Sequence, residues 1–309
     1  MDNVEYMSGW SFFFRTAVMI SLLSALFTSC IAFGSWEGSE GILIKSDETD
    51  WVRYDDYIRT IDVFSLLDNK GNLSLSSDMS MQVITIEEGG ALSPDIILPV
   101  PEIIYVTSGT IRITVNDEEF LAKSGDAVYI PSQTTRKFET GANETVQFFS
   151  VIEQISVQND EESPDKVATK RQENSEDIVR VISADMVTPL EPGKKDLNQS
   201  FYFSRLIHPL QGPYNTGFDL GTVRISKDFN IPDHYVEERY QLITVLSGSG
   251  YISVGCNEYP VDRNDIIYVA PGAVMSLVAS EDMHLLFLTN PYYQEKFDRA
   301  IPYACDYLY

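Results

Sequence analysis

The sequence has few of the residues that build common covalent and metal sites. Its 309 residues include three cysteines and three histidines. No two cysteines form a C-x-x-C pair, so a disulfide framework and a cysteine-type zinc site are both excluded. A single pair, Cys256 with Cys305, stays open as a disulfide in an exported protein. The sequence also has no G-x-S-x-G, no Walker-type loop and no dinucleotide fingerprint, so the enzyme classes built on those motifs have no support.

Positive charge is scarce as well. The chain has 22 Lys and Arg residues against 46 Asp and Glu residues, which gives a net charge of −24. A surface this acidic repels phosphate backbones, so we expect no nucleic-acid partner. A salt-rich or exported setting explains the acidity as well as an acid-binding site does. With 44% hydrophobic residues, the chain is long and apolar enough for two globular domains.

An uncharged apolar segment lies near the N-terminus. Residues 16–33 follow Arg15, a pattern typical of an export signal or a short membrane anchor. Within it, residues 26–30 (LFTSC) resemble a lipoprotein signal box, which makes Cys30 a candidate for lipidation. A lipoprotein, an uncleaved anchor and a fully cleaved signal are the three alternatives. In the first two, residues 1–35 tether the protein to the extracytoplasmic face of the cell membrane.

The remaining sequence repeats itself. Residues 105–115 (YVTSGTIRITV) match residues 244–254 (TVLSGSGYISV), and residues 126–130 (DAVYI) match residues 265–269 (DIIYV). Both pairs are offset by 139 positions, and a steady offset predicts two copies of one domain. We place the copies at residues 41–153 and 178–292, with an acidic linker at 154–177 and a tail at 293–309.

Hydrophobic residues alternate within each copy. Ile111, Ile113 and Val115 have period two, and Gly, Pro, Asn and Asp interrupt the pattern at short intervals. This pattern predicts short antiparallel strands, and their closure into a barrel or jelly roll removes exposed edges. Helical periodicity is nearly absent, and we expect a short helix only at residues 292–301. The predicted fold class is all-β.

The turn residues resemble the two sequence motifs of the cupin superfamily. Gly109 and Gly248 stand where the first motif ends, and Pro131 and Pro271 stand where the second motif has its proline. The resemblance implies that residues 41–290 form a bicupin, with two tandem double-stranded β-helix barrels. It also implies a Mn, Fe, Ni or Zn ion held by three histidines and one glutamate inside a barrel. By analogy with the family, we expect a homodimer.

Most of the implied ligand positions hold other residues. In the first copy Glu102 is kept and Arg136 replaces the histidine of the second motif. The two remaining histidine positions hold Asp95 and Ile97 or, with the shorter motif spacing, Ile96 and Leu98. We interpret Glu102 and Arg136 as a buried ion pair that could also orient an anionic or hydroxylated ligand.

In the second copy, Gln241 replaces the glutamate and Met275 replaces the last histidine. The other two histidine positions hold His234 and Val236 or, with the shorter spacing, Tyr235 and Glu237. Gln241 and Met275 are interpreted as core residues, although Gln241 offers a weak oxygen ligand. If a divalent transition metal binds at all, His234, Glu237 and Gln241 are the candidate ligands.

Dipeptides that interrupt the predicted strands, such as Tyr259-Pro260 and Ala270-Pro271, are similar to those of the (S)-ureidoglycine aminohydrolases. The resemblance to this bicupin family implies a manganese site in the second barrel. That site's ligand types are not retained here, so the resemblance supports only the architecture. We predict a membrane-tethered bicupin with degenerate metal sites, which binds a sugar or small organic acid or serves as a structural module. The alternative is a metal-dependent hydrolase, isomerase or dioxygenase.

Overall fold

The structure is a computed structural model that describes residues 41–71, 73, 75, 79–93, 97–153, 178–187 and 200–301. The apolar segment with Cys30, the linker at 154–177 and Cys305 lie outside the described residues. Cys256 is exposed. No helix within the described residues is long and apolar enough to cross a membrane. Tethering, lipidation and the pairing of Cys256 with Cys305 stay predictions.

The described residues are mostly strands, which confirms the all-β prediction. The strands of the first copy are β1 (Gly41–Ile44), β2 (Val52–Arg53), β3 (Ile58–Asp62), β4 (Met79–Ile86), β5 (Ala91–Leu92), β6 (Glu102–Ser108), β7 (Thr110–Val115), β8 (Glu118–Lys123), β9 (Asp126–Ile130), β10 (Arg136–Thr140) and β11 (Val146–Glu153). Those of the second copy are β12 (Arg180–Ser183), β13 (Phe201–Ile207), β14 (Asp219–Ile225), β15 (Asn230–Val236), β16 (Tyr240–Ser247), β17 (Gly250–Val254), β18 (Asn257–Val261), β19 (Ile266–Val269), β20 (Met275–Ala279), β21 (Met283–Asn290) and β22 (Asp298–Ala300). Helix α1 spans Val63–Gly71, and 3-10 turns lie at Ser46–Glu48 and Glu295–Phe297.

The strands form two barrels with the same topology. The large sheets have the orders β12-β9-β6-β11-β4-β3-β2 and β1-β19-β16-β21-β14-β13, and the small sheets β5-β10-β7-β8 and β22-β15-β20-β17-β18. Replacing each strand by its repeat, for example β6 by β16 and β9 by β19, converts the first barrel into the second, apart from the edge strands β2 and β22. The internal repeat of the sequence is therefore also an internal repeat of the fold.

The first strand of each copy pairs with the other barrel. Strand β1 lies beside β19, with Gly41 opposite Val269, and β12 lies beside β9, with Arg180 opposite Tyr129. Because β1 and β12 are the matching first strands of the two copies, the exchange is reciprocal. Each large sheet is completed by a strand from the other copy, so the pairing crosses the boundaries drawn from sequence. Those boundaries stay a prediction.

Alternation along the strands builds two cores. Ile104 and Val106 of β6 are buried with Phe138 in a cluster inside the first barrel. Their neighbours Ile103 and Tyr105 point to the other face and belong to a cluster that also contains the interior of the second barrel. Since successive strand residues face opposite sides, one strand serves both cores.

Sequence periodicity does not predict helix α1. The Asp62 carboxylate accepts a hydrogen bond from the backbone N–H of Ser65 at 3.0 Å, and this contact caps the helix N-terminus. Val63, Phe64 and Leu67 are fully buried in the core shared by the two copies. A helix of nine residues is too short to show a clear period, so tertiary packing decides this element.

The helix predicted for residues 292–301 is wrong. These residues include the 3-10 turn at Glu295–Phe297 and strand β22, which pairs antiparallel with β15. The pairing covers a sheet edge that would otherwise expose unpaired backbone groups. Edge protection, a property of the folded sheet, therefore outweighs the weak helical pattern of this segment.

Candidate functional site

Glu102 and Arg136 join the two sheets of the first barrel. Glu102 begins β6 in the large sheet, Arg136 begins β10 in the small sheet, and their side chains form an ion pair. Only 4% of Glu102 and 8% of Arg136 is exposed. The Ser150 hydroxyl donates a hydrogen bond to Glu102 Oε1 at 2.5 Å. The pair thus occupies the interior at the place where the family pattern has metal ligands.

The surroundings of Glu102 shift its pKa in opposite directions. Burial raises the pKa of this carboxyl, and the Arg136 charge and the Ser150 hydrogen bond oppose that rise. Removing either partner would leave a charge in a low-dielectric interior, which is costly. The geometry therefore makes the pair a cross-link between two sheets. A role in ligand binding stays a prediction.

Gln241 and Met275 occupy the same two places in the second barrel. The strand register shows the equivalence: Glu102 lies opposite Ile130, Gln241 opposite Val269, Arg136 opposite Val115 and Met275 opposite Val254. Both second-barrel side chains are buried. One copy therefore has a charged pair where the other has a neutral amide and a thioether.

The three candidate metal ligands of the second barrel are not brought together. His234 Nδ1 lies 2.9 Å from the backbone oxygen of Pro232, and Glu237 forms an ion pair with Arg299 at 3.2 Å. Gln241 is buried in β16. Within the described residues, no hydrogen bond or ion pair joins any two of the three.

The residues present do not fit a transition-metal site of the family type. The structure describes no group of three or more His, Cys, Asp or Glu side chains that could hold a metal ion. At two of the family positions stand Gln241, a weak neutral ligand, and Met275, whose thioether suits soft metals only.

A carboxylate that sequence reasoning missed lies in the second barrel. Asp219 begins β14 opposite Thr289 of β21, which lies opposite Gln241 of β16. Directly opposed side chains of antiparallel strands share a face, so the three form one polar row. Gln241 also shares its face with Ile243 and Val245, the face that corresponds to the interior of the first barrel. Asp219 is only 3% exposed.

Burial raises the pKa of Asp219 to about 7. The positive charge of Arg205 and hydrogen bonds from Thr289 and the backbone N–H of Tyr293 oppose the rise. Near neutral pH, therefore, both protonation states of the carboxyl are populated. Arg205 Nε is itself buried and has no hydrogen-bond partner within the described residues.

The residues after β21 contact this end of the barrel. The backbone N–H of Leu210 donates to His208 Nδ1 at 3.1 Å, so Nε2 carries the proton and donates to the Tyr293 oxygen at 3.2 Å. Burial lowers the pKa of His208 and keeps it neutral. Arg239 Nε donates to the Tyr292 oxygen at 2.9 Å, and its guanidinium lies 3.7 Å from the centre of the Phe297 ring. These contacts hold the segment beside Asp219.

One sequence signal could have indicated Asp219. In the aligned repeats Asp219 corresponds to Ser80. A carboxylate at the start of an apolar strand in one copy therefore replaces a small polar residue in the other, and this difference is the signal. Arg205 carries no such signal, because only the pairing of β13 with β14 brings it near Asp219.

Comparisons with known proteins agree with this architecture. Residues 82–152 match the profile of the family described as "Cupin domain". The chain has a cupin fold. No curated protein matches the chain in sequence.

Solved bicupin structures resemble both barrels together. A glyoxylate-induced protein from Pseudomonas aeruginosa has a TM-score of 0.62 at 12% identity, covering 85% of this chain and 88% of its own. Vicilin from Corylus avellana (hazelnut) has a TM-score of 0.60 at 13% identity, with 84% and 87% covered. Oxalate decarboxylase from Bacillus subtilis has a TM-score of 0.59 at 14% identity, with 84% and 79% covered. At these identities the likeness concerns the fold alone, and this fold is found in both an enzyme and a vicilin.

Proposed function

We propose that the chain is a non-catalytic ligand-binding bicupin whose second barrel binds a small organic acid. The observation that carries this proposal is the cluster of buried Asp219, Thr289 and Gln241 with half-buried Arg205 in that barrel. Buried ionisable groups lower stability unless they are compensated. Glu102 and Arg136 compensate each other in an ion pair, whereas Asp219 and Arg205 form no ion pair with each other, which supports a binding role for the second barrel. The first barrel has its corresponding interior closed by Glu102 and Arg136 and serves as a structural domain.

The charges of the cluster favour a carboxylate ligand. Arg205 offers a guanidinium, which binds carboxylates through charge-assisted hydrogen bonds. Asp219 has a pKa of about 7, and in its protonated form it donates a hydrogen bond. Thr289 and Gln241 add a hydroxyl and an amide on the same face. Binding of a carboxylate would favour protonated Asp219, so affinity is expected to rise as the pH falls through about 7.

Isothermal titration with acetate, glyoxylate, oxalate and malonate tests the proposal. One of these acids should bind the wild-type chain, and Asp219→Asn should abolish the pH dependence. Arg205→Met should weaken binding at least about tenfold, the effect of losing one charge-assisted contact. Arg112→Met is the matched control, because Arg112 is an exposed arginine paired with Glu119 on the first barrel. No binding by any of the four acids, or equal loss in the control, would refute an acid-binding second barrel.

The proposal includes tethering at the extracytoplasmic face of the cell membrane by residues 1–35. Support comes from the uncharged run at residues 16–33 and the signal-like sequence before Cys30. The mass of the membrane-extracted protein distinguishes the alternatives, since lipidated Cys30, an uncleaved chain and a cleaved chain differ in mass. The expected homodimer is tested in the same preparation by light scattering.

The rival function is a metal-dependent enzyme that uses His234, Glu237 and Gln241. It draws on the metal chemistry of the cupin superfamily, because the resemblance to (S)-ureidoglycine aminohydrolases supports only the architecture. Elemental analysis of protein purified without chelator decides between the two. About one equivalent of transition metal per chain, lost in His234→Ala, would support the enzyme, and less than about a tenth would exclude it.

A further inference from the structure

A polar cleft with a volume of about 630 Å³ lies outside the barrel interiors. Four of its residues form a row across β13, β14, β21 and β16, with a register shift just before the last of them. Tyr202 lies opposite Arg224, Arg224 opposite His284, and His284 opposite Ser247. Asp185, which follows β12, closes one side of the row.

The row lies on the outer face of the large sheet. Arg224 is exposed while its neighbours Val223 and Ile225 are buried, so its side chain points away from the core. Tyr202 is 41% exposed. The cleft is therefore separate from the polar cluster around Asp219, which shares a face with core residues.

The charges of the cleft disfavour an anionic ligand. Arg224 already forms an ion pair with Asp185 at 3.2 Å, and Asp282 adds a second carboxylate to the lining. His284 is neutral, because burial and the nearby Arg224 lower its pKa to about 4. Two carboxylates thus face one guanidinium, in a protein whose net charge is −24.

His284 lines this cleft and has an unused hydrogen-bonding atom below its surface. Its Nε2 is buried and has no hydrogen-bond partner within the described residues. A buried ring nitrogen without a partner costs free energy, so its presence next to a cleft indicates a place for a ligand.

The same position in the first copy borders a smaller pocket of about 210 Å³, but its polar atoms are paired. Gln147 lies opposite Ser108 as His284 lies opposite Ser247, which makes the two residues equivalent. The Thr107 hydroxyl lies 3.2 Å from Gln147 Oε1, and Gln147 Nε2 donates to the Thr85 hydroxyl at 3.4 Å. The first copy therefore satisfies its polar row internally, whereas the second leaves a buried ring nitrogen without a partner among the described residues.

We propose that this cleft binds a neutral saccharide. Sugar hydroxyls donate and accept, so they can bond to Arg224 and Asp185 without adding charge. A small rotation of the His284 ring would present its buried Nε2 to the same ligand. The exposed ring of Tyr202 offers an aromatic face for the C–H side of a sugar. Ser204 and Ser247 supply further hydroxyls in the lining. This site is independent of the organic-acid site in the second barrel.

The test uses saturation-transfer NMR and calorimetry on the full chain with named probes: the methyl glycosides of glucose, galactose, mannose and N-acetylglucosamine, with acetate and inorganic phosphate as anions. At least one glycoside should bind. Tyr202→Ala should weaken binding at least about tenfold. His284→Gln, which places the first copy's residue at this position, should weaken it comparably. Tyr251→Ala, an equally exposed tyrosine on the small sheet, should leave affinity unchanged.

Three results would overturn the saccharide site. They are no glycoside binding up to about 50 mM, an affinity that neither cleft variant changes, or binding of phosphate in place of sugar. Asp219→Asn should not alter sugar affinity, and Tyr202→Ala should not alter acid affinity, so the two proposed sites succeed or fail separately. Circular dichroism of each variant confirms that a lost affinity does not reflect unfolding.

Discussion

Replacing Arg136 by methionine, the residue at the same place in the second barrel, tests whether the ion pair with Glu102 cross-links the first barrel. Arg136→Met leaves the Glu102 carboxylate buried without its charged partner. Breaking one side of such a pair costs about 3–5 kcal/mol of unfolding free energy. At roughly 2–4 °C per kcal/mol, Tm should fall by on the order of 10 °C.

The double variant Glu102→Gln/Arg136→Met is the decisive comparison. It reproduces the neutral pair that the second barrel already accommodates, and replacing a whole buried ion pair is often neutral or stabilising. We therefore expect the double variant to lie within about 1 kcal/mol of wild type, so that the costs of the two single variants do not add. Guanidinium chloride unfolding followed by circular dichroism measures the free energy of unfolding of wild type, Arg136→Met, Glu102→Gln and the double variant.

The same variants predict a pH dependence. Burial raises the folded-state pKa of Glu102 above its ordinary value of 4.5, and losing Arg136 raises it further. Stability linked to the protonated form is present below about 4.5 and is lost as the pH rises through the folded-state pKa. The deficit of Arg136→Met should therefore be small near pH 4 and grow toward pH 8. A double variant as unstable as the single one, with a deficit that pH does not change, would refute the cross-link.

Three further predictions follow from local geometry. Gly248→Ala should cost clearly more stability than Gly125→Ala, because both have positive φ but only the first would place a Cβ 2.2 Å from a backbone oxygen. Equal losses in thermal unfolding would contradict this. Gly41→Ala should destabilise the pairing of the exchanged strand β1, because the new Cβ would lie 2.7 Å from the Cβ of Val254. Amide hydrogen exchange in β1 should therefore become faster, and an exchange rate equal to that of wild type would disprove this. Because the pKa of His284 is lowered to about 4, stability should fall as the pH drops from about 6.5 to 4, and His284→Gln should flatten that slope. A slope that the variant leaves unchanged would count against the assignment.

The sequence by itself determined the repeat, the short strands and the turns. Alternating residues such as Ile111 and Ile113 set which face of a strand is buried, and this is local information. The offset of 139 positions also identified Gln241 and Met275 as the counterparts of Glu102 and Arg136, which the strand register reproduces. Motif spacing therefore predicted correctly which positions of the two barrels are equivalent.

Only the tertiary structure decided which sheet each strand completes. The exchange of β1 and β12 depends on pairing between residues far apart in sequence, and alternation within a strand says nothing about its partner. The proximity of Asp219 to Arg205 also depends on strand pairing, because β13 and β14 are adjacent only in the folded sheet. Local pattern fixes a side chain's face, whereas strand register fixes its neighbours. The fold could therefore be predicted from sequence, while both candidate ligand sites required the structure.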